Sequence, residues 1–217
     1  MTENARLFPT SDFVETDTFS FERQLFSQGF KVVAGTDEAG RGPLAGPVVA
    51  ACVILPPDCD FSLFKDSKKT SVRQRARLYD LLHEIGADIG VGYGTVEDIE
   101  KLNILQASLL AMKNAVGKLV AEPDFLLVDG KFPVPLFMPQ KSLVKGESRS
   151  ASIAAASIIA KEERDRLMEV YHRQYPRYNF ARHKGYPTAE HRLLLKKYGP
   201  CEIHRRTFKG VREHGDQ

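Results

Sequence analysis

Asp37 and Glu38 stand side by side at the end of an apolar run, "FKVVAGTD". They open the stretch "DEAGRGPLAGPV" (37–48), which carries Gly40, Arg41, Gly42 and Gly46. Adjacent carboxylates at a strand end can hold a hard cation, and a glycine-lined backbone beside them lets a ligand approach the main chain closely. The loop does not cradle a nucleotide phosphate. A phosphate-binding loop ends in Gly-Lys-Ser/Thr, whereas Gly40 is followed by Arg41 and Gly42. The dinucleotide fingerprint has two residues between its second and third glycines; Gly42 and Gly46 are separated by three, one of them Pro43.

Two further acids belong with this pair. Asp129 ends the apolar run "FLLVD", and Asp165 lies in "KEERDRL", well along an alanine-rich segment whose Ile153, Ala156, Ile159 and Ala160 suit packing on a sheet. Taken singly, a strand-end Asp is usually a turn or cap residue. Asp165, among Lys161, Glu162, Glu163, Arg164 and Arg166, reads equally as part of a solvated helix face. The adjacent pair lifts the others, because in α/β sheets chemistry collects where strand ends meet loops. Four carboxylates with no histidine or cysteine partner make an all-oxygen site, suited to Mg²⁺ or Mn²⁺ rather than zinc. Brought together, they would raise one another's pKa unless a divalent cation compensated them.

The elements that must position these groups follow from periodicity. Phe13 to Gln28 reads as a short helix, and "FKVVAGTD" and "PVVAACVIL" as neighbouring strands. "SVRQRARLYDLLHEIG" places Val72, Leu78, Leu81, Leu82 and Ile85 near helical spacing, and "ADIGVGYGTV" reads as a strand. Thr95 with Asp98 forms a capping-box pattern that predicts one long helix through Leu119, with Ile99, Leu102, Leu105, Leu109 and Met112 inward. Strands are expected at "PDFLLVDG" and "PLFMPQKSLVKGE", then a helix over "SASIAAASIIAKEERDRLMEVYHRQY" and a last helix from Thr188 to Tyr198. The expected fold is one α/β domain, a sheet covered by helices, with a helical C-terminal extension.

The 217 residues are 42% hydrophobic and 27% charged, ordinary for a globular protein, and no apolar run approaches the roughly 20 residues of a membrane helix. The N-terminus has neither the basic start nor the apolar core of a signal peptide. Three cysteines (Cys52, Cys59, Cys201) without Cys-x-x-Cys spacing argue against a disulfide framework or zinc knuckle and fit a reducing cytoplasm. The net charge is only +3, but residues 171–217 hold eleven Lys and Arg against four Asp and Glu. Such an end suits a polyanionic partner or a merely solvated cationic surface.

"DEAGRGPLAGPVVAACVIL" resembles the signature of the bacterial type 2 ribonucleases H, ribonuclease HII. The similarity continues through "KDSKKTS", "LLVDG", "VKGESRSASIAAASIIAKEERDRLM", "HKGYPT" and "GPCEIHRRTF", in the family's order, so it spans about residues 31–210. Ribonuclease HIII is less similar, lacking the Gly-Arg-Gly loop. The resemblance implies a ribonuclease H-like fold: a central mixed sheet flanked by helices, with a C-terminal helical part. It sets residues 1–30 apart as an extension before a catalytic domain of 31–217. It implies endonucleolytic cleavage of the RNA strand of RNA–DNA hybrids and incision 5′ to ribonucleotides embedded in duplex DNA. It places the catalytic and metal-holding acids on Asp37, Glu38, Asp129 and Asp165, with two divalent ions (Mn²⁺ or Mg²⁺). The sugar-reading loop falls on Gly40, Arg41 and Gly42, and its partner tyrosine on Tyr186. The chain departs from the family in carrying Lys145-Gly146-Glu147 where Lys-Gly-Asp is usual, and "RTFKG" near its end.

Reading RNA against DNA requires contact with the 2′-hydroxyl, which Gly40 and Gly42 could approach with main-chain groups while Tyr186 stacks on a neighbouring sugar or base. Lys68, Lys145, Ser148, Arg182 and Lys184 are expected phosphate contacts. His183 and His204 stay outside the catalytic set. No clamp-binding motif is evident, and a monomer without an obligate protein partner is expected. A non-catalytic hybrid-binding protein would have a disrupted acid set, and a junction resolvase would have no reason to carry the Gly-Arg-Gly loop with Tyr186.

Overall fold

The computed structural model describes residues 18–64 and 71–214; Lys68 lies outside them. Helix α1 (Ser20–Ser27) leads into β1 (Val33–Ala39), and the glycine loop connects β1 to β2 (Val48–Ile54). Next come α2 (Val72–Glu84), β3 (Asp88–Gly94), α3 (Val96–Leu102), α4 (Ile104–Val116), β4 (Phe125–Asp129) and β5 (Gln140–Leu143). The long helix α5 (Ala151–Gln174) and the short α6 (Phe180–His183) and α7 (Ala189–Tyr198) are the last α-helices of the described residues. The strands form one mixed sheet in the order β3-β2-β1-β4-β5. Strand β2 pairs antiparallel with β1 and β3, while β4 runs parallel to β1 and β5. Among the described residues no helix is long and apolar enough to cross a membrane.

Helices cover both faces of the sheet, so β2 reads as a continuous apolar run rather than an alternating one. Its Ala51 and Val53 face Ala151, Ala154, Ala155 and Ile158 of α5. Its Val48, Ala50 and Cys52 face Ala107, Ala111, Met112 and Ala115 of α4. Small residues on both helices bring the backbones close to the sheet. At Gly35 the N-terminal turn of α5 lies so near that any Cβ would overlap the Ser152–Ile153 backbone. That approach sets α5 across β1, the strand that ends in the two acids. The N-terminus of α5 is also held by α1: Ser150 Oγ and Ser152 N–H donate to buried Glu22 Oε1 at 2.6 and 3.1 Å. A carboxylate there complements the positive end of the helix dipole, although burial raises its pKa.

Two local expectations differ from the structure. The helix expected from Thr95 to Leu119 is two helices broken at Asn103, whose φ of 72° turns the chain while its side chain accepts the N–H groups of Leu105 and Gln106. The capping box at Thr95 and Asp98 forms as expected. Leu102, beside the break, is 43% exposed rather than inward. In α2 the buried face is Arg75, Tyr79 and Leu82, and Val72 is exposed. Apolar periodicity misses this face because Arg75 is buried with its charge paired to Glu162 at 2.6 Å.

Candidate active site

Parallel pairing of β1 and β4 matches Gly35 to Leu127 and Thr36 to Val128. One step further along, Asp37 comes opposite Asp129, with strand axes about 5 Å apart. Asp37, Glu38 and Asp129 all line one cleft of about 460 Å³ at this end of the sheet. Its other walls are Gly40, Arg41 and Gly42 of the loop, Ser157 and Lys161 of α5, Arg75 of α2, and Tyr186. Elements far apart in sequence thus converge on the carboxyl ends of two parallel strands.

Two of these acids are held from the backbone. Asp37 Oδ1 accepts the Glu38 N–H at 2.7 Å, and Asp129 Oδ1 accepts the Gly146 N–H at 2.6 Å. Burial first, then the negative charges of Glu38 and Asp129, push the Asp37 carboxyl well above its usual range, against the lowering effect of Ser157. Burial likewise pushes Glu38 up to about 7, with Asp129 adding to the rise and Arg41, 3.1 Å away, opposing it. Such crowding is what a divalent cation relieves, and the donors are all oxygen, so these residues fit Mg²⁺ or Mn²⁺. Among the described residues no three His, Cys, Asp or Glu side chains close into a ready-made cage. Asp37 and Asp129 are anchored to main-chain amides and Glu38 to Arg41.

Asp165 takes a different position. Its carboxylate is engaged by Lys161 at 2.6 Å and Arg75 at 3.4 Å, both of which line the cleft while Asp165 does not. Glu147, outside the four expected acids, is 4% exposed and follows Gly146, whose N–H holds Asp129. Only the pairing reveals it: β5 runs parallel to β4 with Leu143 opposite Asp129, so the Lys-Gly-Glu turn emerges at the sheet end where the acids sit.

Arg41 is exposed, and Tyr186 is 39% exposed with Lys161 and Arg164 at 5.7 and 5.9 Å from its ring centroid. The two glycines of the loop differ. Gly40 has φ of 100°, and a Cβ there would overlap the Arg164 side chain; at Gly42 a Cβ would meet only Tyr186 Cε1, at 3.9 Å. Of the expected phosphate contacts, Lys145 and Ser148 share the exposed turn after β5. Arg182 pairs with Glu190 and Lys184 with Glu169, at 3.2 and 3.0 Å, and none of these four lines the cleft.

Three histidines pack together beneath Tyr186. His183 Nε2 lies 2.7 Å from the Tyr178 carbonyl, His191 Nδ1 lies 3.0 Å from the Tyr186 carbonyl, and the His191 and His204 Nε2 atoms are 3.1 Å apart. Burial lowers all three, His191 to about 4 and His204 to about 3, so they are neutral core groups that support the backbone at Tyr186.

The family model described as Ribonuclease HII matches residues 34–211. Ribonuclease HII of Desulfotalea psychrophila is 54% identical over 213 residues, covering 97% of this chain and 95% of that protein. Ribonuclease HII of Syntrophotalea carbinolica is 51% identical over 208 residues, covering 96% and 98%. Among solved structures, the ribonuclease H2 of Pyrococcus horikoshii superposes with a TM-score of 0.69 at 28% identity, covering 84% of this chain and 96% of that one. A Bst-RNase HIII in complex with Mn²⁺ shares the fold, with a TM-score of 0.64 at 19% identity over 86% of this chain and 70% of that one. The sheet order, the strand-end acids and these matches lead to one conclusion: this chain belongs to the ribonuclease HII family, metal-dependent endoribonucleases of the ribonuclease H class.

Proposed function

We propose that this enzyme hydrolyses the RNA strand of RNA–DNA hybrids and incises duplex DNA 5′ to an embedded ribonucleotide, leaving 3′-hydroxyl and 5′-phosphate ends. The observation that carries the reading is the convergence of Asp37, Glu38 and Asp129 on the same cleft as Gly40, Arg41, Gly42 and Tyr186. A site with both parts can bind the cations that phosphodiester hydrolysis needs and inspect the sugar next to the bond to be cut.

Asp37, Glu38 and Asp129 would hold the divalent ions. Asp165, which the family resemblance makes the fourth acid, would support this set through its contacts with Arg75 and Lys161. Two bound Mn²⁺ or Mg²⁺ ions would supply an activated water and stabilise the leaving 3′-oxygen. The chain's own residues do the rest. Arg41 holds Glu38 while its exposed guanidinium remains beside the substrate path. Gly42 leaves open space between its backbone and Tyr186, where a sugar edge can enter. Tyr186 presents a half-exposed ring for stacking, and Lys161 brings a cation to the same wall. The enzyme is proposed to act as a monomer in the cytoplasm, in keeping with three free cysteines, and to carry its catalytic machinery within residues 31–217.

The test is cleavage of a DNA duplex containing one ribonucleotide, with Mg²⁺, Mn²⁺ or EDTA, beside an all-DNA duplex and an Asp37→Asn variant. A metal-dependent cut 5′ to the ribonucleotide, absent from both controls, is expected. Binding without cleavage would return the protein to a hybrid-binding role. Cleavage of the all-DNA duplex would remove the sugar-reading role of the loop.

A further inference from the structure

Two arginines with no part in the acid site lie fully buried beneath the glycine loop. Arg164 donates from Nε to Pro47 O at 3.1 Å, from Nη2 to Ala45 O at 3.0 Å and from Nη1 to Lys184 O at 3.0 Å. Arg205 donates from Nε to Gly46 O at 2.9 Å, from Nη1 to Arg41 O at 3.0 Å and from Nη2 to Gly40 O at 2.6 Å. Both are 0% exposed, and among the described residues neither forms an ion pair. Burying two cations costs several kcal/mol each unless their donors are satisfied. Six carbonyl oxygens, five of them from residues 40–47, satisfy them here.

The consequence lies on the other side of those peptides. In a trans peptide the C=O of one residue and the N–H of the next point in opposite directions. Among the six peptides, the following residue is Pro47 in one and the strand residue Val48 in another. Gly46 N–H donates to Ile203 O and Gly185 N–H to His183 Nδ1, at 2.8 and 3.2 Å. The remaining two N–H groups belong to Arg41 and Gly42. Both residues are exposed, both line the cleft, and neither N–H has an acceptor among the described residues.

We infer that Arg205, braced by Arg164, is a positioning residue for ribonucleotide recognition. By taking the Gly40 and Arg41 carbonyls it turns the Arg41 and Gly42 N–H groups into the cleft as preset donors for the substrate's sugar–phosphate oxygens. This rests on the sugar-reading function proposed for the loop and adds what determines its donor geometry. A lysine cannot reproduce the effect, because one ammonium does not match the planar fork that spans two successive carbonyls.

The first test is Arg205→Lys in the full-length enzyme, with Arg164→Lys alongside. Turnover is compared on a single-ribonucleotide duplex and its all-DNA counterpart, and binding is measured in EDTA. Loss of one oriented donor in other enzymes costs about 10²–10³ in turnover. Here kcat on the ribonucleotide duplex should fall about 10- to 100-fold and preference over DNA should fall with it. Affinity in EDTA should change less than about threefold, because it is dominated by surface cations. A folded Arg205→Lys enzyme with unchanged kcat and preference would overturn the inference, as would a uniform loss of binding to both duplexes with preference intact. Should the variants fail to fold, amide exchange on the wild type decides. The Arg41 and Gly42 amides should exchange rapidly in the free protein and become protected by the ribonucleotide duplex but not by the all-DNA duplex. Protection already present in the free protein would refute the clamp. A wild type that shows no ribonucleotide preference would instead refute the underlying reading of the loop.

Discussion

The two walls of the cleft handle charge in opposite ways. On the acid wall, Asp37 is buried and Glu38 half-buried beside Asp129, a backbone amide reaches Asp37 and Arg41 reaches Glu38, and both carboxyls are driven up in pKa. On the loop wall, Arg164 and Arg205 are buried more deeply, yet every nitrogen of both guanidiniums donates to a carbonyl. The saturated wall is scaffold. The crowded wall holds carboxyls that repel one another despite the Arg41 pair to Glu38, and that is where a cation and the chemistry enter.

The largest effect expected from perturbing this contrast is at Asp37. Asp37→Asn should lower kcat/KM on an RNA–DNA hybrid by about 10³ or more, roughly 4 kcal/mol, measured in saturating Mn²⁺. The same substitution should stabilise the metal-free protein. A carboxyl whose folded pKa lies above its unfolded value binds more protons in the folded state, so its penalty grows as pH rises above the unfolded pKa and is complete above the folded one. In EDTA, the gain in Tm of Asp37→Asn over wild type should therefore be larger at pH 8 than at pH 5. An equal gain at both values would contradict the crowding.

Gly40 and Gly42 sharpen the comparison within one loop. Gly42→Ala should keep the wild-type Tm, because its Cβ meets only a ring edge at 3.9 Å, but should lower kcat/KM about 100-fold by filling the entry beside Tyr186. Gly40→Ala should instead lower stability by a few kcal/mol, because it forces positive φ on a side chain and displaces Arg164. Urea unfolding of both variants separates the two outcomes, and equal destabilisation would sink the distinction.

A smaller effect is expected at Tyr186. Stacking contributes about 1–3 kcal/mol per base, so Tyr186→Ala should lose roughly 10- to 100-fold in kcat/KM. Tyr186→Phe should stay within about threefold; a Phe variant as poor as Ala would shift the role to the hydroxyl. Asp165→Asn is expected to cost about tenfold, at the low end of the Tyr186→Ala range, through released Lys161 and Arg75. A loss matching that of Asp37→Asn would make Asp165 a direct ligand, and Glu147→Gln measured in parallel shows which acid completes the set.

How much of this was legible beforehand depended on how local the cause was. The β-branched runs of β1 and β2, the capping box at Thr95 and Asp98 and the alanine-rich α5 were readable because each depends on neighbours a few residues away. The break at Asn103 was local too, but apolar spacing carried straight across it. In α2 the same spacing favoured Val72 over Arg75, because periodicity weighs hydrophobicity and cannot see a paired buried charge.

By itself the sequence determined the chemical vocabulary of the site: adjacent hard-oxygen donors at a strand end, a glycine loop able to approach a sugar, an aromatic partner and a basic C-terminal segment. Only the tertiary structure decided which of these meet. Parallel pairing set Asp129 beside Asp37, whereas the Asp165 carboxylate was drawn to Arg75 and Lys161. Arg205 reached back to Gly40 across a separation of 165 residues. No short-range pattern encodes such a contact. Its stability comes from removing both a cation and the loop's carbonyls from water at once, which happens only when sheet, helix α5 and the C-terminal segment have closed around them.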